Sequence, residues 1–161
     1  MRLLAVALFL TVTATASAAP KGACAIEQAV YRLKGFEASA TLRFVDDPKL
    51  ARQSHLSAVL KSNVTGRTYK FRFAASNGYS TQYLLPVHDG DKDETTDDGH
   101  AFYMFDAALR ATELPNPGGA APRYLFVPTL GPVLWYSELA QGQTKREAIE
   151  TQMWQVEPCA R

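Results

Sequence analysis

The chain reads as a mostly-β domain: an antiparallel β-barrel or β-sandwich with one or two short helices. Two observations carry this. Apolar and polar residues alternate with a period of two in several short runs, as they do on half-buried strands. Turn-forming residues separate these runs at regular spacing, which is the pattern of sandwiches and barrels. Internal repeats, low-complexity runs and domain linkers are absent from the 161 residues. The alternation alone does not separate a closed barrel from two packed sheets.

Residues 1–19 read as an export signal. Arg2 supplies the positive start, 3–12 form an apolar run, and Ala16-Ser17-Ala18 is a small-x-small cleavage site. The run is shorter than the roughly 20 residues that span a bilayer. The remainder, 20–161, is expected to be one soluble β-rich domain, exported to a periplasm or secreted. Of 17 basic and 16 acidic residues, the signal carries only Arg2, so the mature chain is formally neutral. A neutral chain has no global field to attract nucleic acid or an anionic membrane, and neither partner is expected.

The two cysteines, Cys24 and Cys159, stand at opposite ends of the mature chain. In an oxidising compartment an even pair reads as a disulfide, here joining the two termini.

The strands follow in order. Residues 25–33 place Ala29, Tyr31 and Leu33 on one face, and Gly35 breaks the run. Across 37–45, Ala38, Ala40, Leu42 and Phe44 alternate with Glu37, Ser39, Thr41 and Arg43. Asp47 as N-cap with Pro48 at N1 suggests a turn or two of helix through Gln53. Leu56, Ala58 and Leu60 resume the alternation, and 63–67, with Gly66, form a turn. Over 68–74, Tyr69, Phe71 and Phe73 face inward. Asn77-Gly78 is a strong hairpin signal, because both turn positions favour positive φ. The returning strand, 79–87, puts Tyr79, Tyr83, Leu85 and Val87 on one face.

Residues 101–107 carry large apolar groups on both faces, as in a strand covered on both sides. Residues 114–123 form a Pro- and Gly-rich loop. Two more short strands are read at 124–127 and 133–136, a helix at 138–150 and a last strand at 151–156. If the strands at 56–62, 68–75, 79–87 and 101–107 form a meander, the 63–67 turn and the loop after residue 87 share one end. His55 then lies at the other.

That loop is the candidate site. Residues 88–100 hold six acids and one lysine between His88 and His100. Asp89, Asp91 and Asp93 match the first three ligand positions of a 12-residue calcium loop. The glycine and bidentate glutamate that complete that loop are replaced by Glu94 and His100. His88 and His100, with one carboxylate, would instead suit zinc or copper. A divalent metal is therefore an alternative, and no other cofactor is expected. The competing reading is a solvated loop spread by its own charge.

Asn63-Val64-Thr65 matches the N-glycosylation pattern. Aromatic-rich strands would line a ligand cavity if a barrel were hollow. Hydrolytic motifs (Gly-x-Ser-x-Gly, His-Glu-x-x-His, a phosphate loop) are missing. The sequence thus favours non-catalytic binding of a small ligand or protein. A metal-binding module is the second reading, and a small secreted hydrolase the third.

Overall fold

The computed structural model describes residues 24–49, 54–76, 81–87, 99–136 and 145–159. The expected signal segment, the expected hairpin turn at Asn77-Gly78 and residues 88–98 lie outside them. The fold is a closed antiparallel barrel of eight strands, which decides between the two predicted architectures.

A 3₁₀ turn at Ile26–Gln28 leads into β1 (Val30–Leu33). Next come β2 (Ala40–Asp46), β3 (Leu56–Ser62), β4 (Thr68–Ala75), β5 (Gln82–Pro86) and β6 (His100–Phe105). Each pairs with the next. The two-residue β7 (Ala111–Thr112) adds to the far end of β6. Then β8 (Tyr124–Phe126), helix α1 (Leu130–Tyr136) and β9 (Trp154–Val156) complete the chain. β8 pairs with both β6 and β9, and β9 pairs with β1, which closes the ring.

The period of two does what it should: alternate residues fill the lumen. Tyr31, Leu42, Leu60 and Tyr69 are register partners in series around the wall, and all four are buried. At mid-height four rings meet. Phe44 stacks on Phe73 at 5.6 Å, Tyr31 meets Phe44 edge-on at 5.7 Å, and Phe102 closes on both phenylalanines. Such ring pairs contribute about 0.5–1.5 kcal/mol each beyond area burial. The Tyr31 hydroxyl donates to the Pro122 carbonyl at 2.9 Å, and burial pushes its pKa upward.

The sequence reading needs correction in four places. β5 turns Leu84 inward, against Phe73 and His100, while Tyr83 and Leu85 lie outside. Those two pack across the backbone of Gly99, where a Cβ would stand 2.8 Å from Leu85 Cδ2. β6 is not covered on both faces, because Tyr103 is exposed. Residues 133–136 belong to α1 rather than to a strand. Pro132 falls in its first turn, where a missing N–H costs nothing, and Leu130 and Leu134 meet on the buried face one turn apart. Finally, residues 145–150 are not helical, and 137–144 lie outside the described residues. The proposed helix at 48–53 is seen only at its start, as a turn in which Asp47 Oδ1 accepts the Lys49 amide.

The meander expected from the turns is present. The 63–67 turn, the ends of the 88–98 loop and the long connection from β8 to β9 share one end of the barrel. His55, Cys24 and Cys159 lie at the other. Cys24 and Cys159 come to disulfide distance there, with Cα atoms 5.8 Å apart across 135 residues of sequence.

Candidate functional site

Of the residues singled out for metal binding, His88, Asp89, Asp91 and Asp93 lie outside the described residues. His100 is described, and it opens β6 with its side chain directed into the barrel, 2% exposed. Its Nδ1 is 3.2 Å from Thr129 Oγ1, and its ring stands edge-on to Phe71 at 6.1 Å. This imidazole thus lines the lumen at the start of β6. Among the described residues, no three His, Cys, Asp or Glu side chains gather as a metal would require. None of the helices there is long and apolar enough to cross a membrane.

Two features stand apart from the packed lumen. The first is an open cleft of about 430 Å³ beside the paired cysteines. Its floor includes Ala121, Pro122 and Val156, and its rim Asp106, Glu113 and Arg123. Asp106 is turned toward its own loop. It accepts the Arg110 amide and guanidinium, and these N–H donors hold its carboxyl below the usual range. Glu157, at the cleft's other side, is bonded to Arg32 at 2.5 Å.

The second is a buried polar cluster at the opposite end. Residues 145–150 run extended, with Glu147 and Ile149 turned in and their neighbours exposed. Glu147 is 1% exposed. Its Oε1 accepts the Tyr69 hydroxyl at 2.7 Å and the Thr65 hydroxyl as well. The Tyr69 pKa is pushed up to about 12, first by burial and then by the hydrogen bond to Glu147, while the neighbouring Arg67 guanidinium opposes the shift. A second guanidinium nitrogen of Arg67 reaches the Lys145 carbonyl at 3.4 Å. Both Arg67 Nη1 and Glu147 Oε2 are buried without a hydrogen-bond partner.

Sequence reasoning missed this cluster. Its one local signal is the alternate spacing of Thr65, Arg67 and Tyr69, three donors that run from the turn at Gly66 into β4. Glu147 is 78 residues from Tyr69, within the stretch 138–150 that the sequence reads as helix. Comparison with protein-family models, curated proteins and solved structures finds no match to this chain.

Proposed function

We propose that the protein is an exported, soluble binding domain that acts without catalysis and takes a small ligand in the cleft beside Cys24 and Cys159. The observation that carries this is the filled lumen. With four aromatic rings across its middle, the barrel is packed among its described residues rather than hollow. The cleft, by contrast, has the volume, apolar floor and polar rim of a small-molecule site. The apolar run and small-x-small site before residue 20, together with the cysteine pair, support export. A protein partner is the second reading, favoured by α1, which turns Val133, Trp135 and Tyr136 outward.

Titration of isotope-labelled protein with a panel of small amphipathic fragments tests the first reading by amide chemical shifts. Changes should map to Thr112, Ala121, Arg123 and Val156, and Ala121→Trp, which fills the floor, should abolish them. Binding that maps elsewhere, or no binding across the panel, would sink it. Export is checked separately. Protein collected outside the cytoplasm should begin at residue 19 or 20, and retention of Met1 would refute the signal.

A further inference from the structure

We propose that Thr65, Arg67 and Tyr69 form a carboxylate-binding site, filled here by Glu147, and that a small free carboxylate can take the place of that side chain. This goes beyond the cleft reading and does not depend on it.

The three residues are alternate positions of one chain, from the turn after β3 into β4. They present two hydroxyls and a guanidinium. Both hydroxyls donate to the same oxygen, Glu147 Oε1. The guanidinium is close enough to the Tyr69 hydroxyl to pull its pKa down against burial. Charge-assisted bonds of this kind, away from water, are how proteins recognise carboxylates. The recognition is incomplete as drawn: one donor of Arg67 and one oxygen of Glu147 remain buried without partners. No direct ion pair joins these two side chains among the described residues. A buried charge left partly unsatisfied is costly, and such groups call for an explanation. Here the tether supplies it, because Glu147 must fit the site from the direction its chain permits, whereas a free carboxylate has no such constraint.

Among the described residues, no backbone-to-backbone hydrogen bond ties 145–149 to the barrel. The segment is held by side chains instead: buried Ile149, the Glu147 contacts, Arg67 on the Lys145 carbonyl, and Arg146 on Trp135. Lys145 and Arg146 are exposed beside it and add positive charge where an anion would approach.

Glu147→Ala in the otherwise intact mature protein empties the site. Its thermal midpoint should fall below that of the parent. Formate, and less strongly acetate, should then raise it with concentration and saturate, as a ligand of the native state does. Chloride at the same ionic strength should not. The parent protein should not respond, its site being occupied. Adding Thr65→Val and Tyr69→Phe to the variant should abolish the response. A variant that responds to formate no more than to chloride overturns the proposal, and so does a response that survives removal of both hydroxyls. If Glu147→Ala does not fold in chloride, far-UV circular dichroism after refolding decides. Recovery in formate supports the site, and none in either salt overturns it.

Discussion

Replacing Cys24 and Cys159 together by alanine tests what closes the barrel. The cysteines are 135 positions apart, so a bond between them constrains nearly the whole unfolded chain. The chain-entropy relation puts a loop of that length at about 5 kcal/mol. The native state should survive the change. The β1–β9 seam keeps its own register, Tyr31 against Val156 and Leu33 against Trp154, and Glu157 N still donates to Val30 O at 2.7 Å. The loss therefore belongs mainly to the unfolded ensemble. With a urea slope near 2 kcal/mol per molar, the midpoint should fall by roughly 2.5 M. Native stabilities are commonly about 5–15 kcal/mol, so the variant would keep between almost nothing and two thirds of its margin. Urea unfolding followed by circular dichroism, without reductant, reads this directly. A midpoint displaced by less than about 0.5 M would refute the reasoning. A thiol assay on denatured, unreduced parent protein then says which step failed. Zero free thiols means the bridge forms but does not act through chain entropy, and two means it does not form.

Three further outcomes follow from the packing and the titrating groups. Gly131→Ala would ordinarily favour a helix by about 1 kcal/mol. Here the new Cβ would stand 1.9 Å from the Ile149 carbonyl oxygen, so the urea midpoint should drop instead, and a rise would show that the contact yields. Phe44→Ala, which removes the ring that meets Tyr31, Phe73 and Phe102, should cost about 3–5 kcal/mol in the same assay, and a cost under 1 would mean the lumen collapses around the gap. Stability should also fall as pH rises from about 10 to 12. An unfolded tyrosine releases its proton near 10, whereas folded Tyr69 holds it to about 12, so the unfolded chain binds fewer protons across that window. Tyr69→Phe should make this slope shallower, with buried Tyr31 carrying the remainder, and an unchanged slope would refute the assignment to Tyr69.

Much of the wall was legible because strand alternation is local. Ala40, Leu42 and Phe44, then Leu56, Ala58 and Leu60, then Tyr69, Phe71 and Phe73 all face inward as the period of two requires. The misreadings fall where periodicity is ambiguous. In β5 both faces are apolar, so the sequence does not say which turns in, and pairing of Leu84 with Phe73 and His100 decides it. At 130–136 a run of apolar residues suits a short strand or a short helix equally well. The docking of Leu130 and Leu134 then selects the helix. Closure was the harder question, because a sandwich and a barrel share the same strands. What distinguishes them is the pairing of β1 with β9, between residues some 125 positions apart, as in Arg32 against Gln155. The cysteine pair is consistent with that closure but does not require it, since a sandwich can also bring its termini together. What closes the ring is pairing the sequence does not show, β1 with β9 and β5 with β6.

The same distinction between local and long-range information explains the candidate sites. The acidic stretch from His88 to His100 drew attention because its charges are adjacent in sequence, yet adjacency says only that those charges share a loop. His100 belongs both to that stretch and to β6, where its ring stands beside Phe71 and Thr129. The Glu147 cluster has the opposite character. Its members are unremarkable one by one: a turn threonine, a surface-type arginine, a strand tyrosine and one glutamate among polar residues. Only the path of 145–149 across the barrel end gives them a common point. The alternation there, Arg146 out, Glu147 in, Ala148 out, Ile149 in, is the strand signature once more, carried by a segment without a strand partner among the described residues. A glutamate in phase with a buried isoleucine is costly to bury unless donors await it. That mismatch between pattern and residue type is the mark by which such a site is recognisable in a sequence, and it is chemical rather than positional.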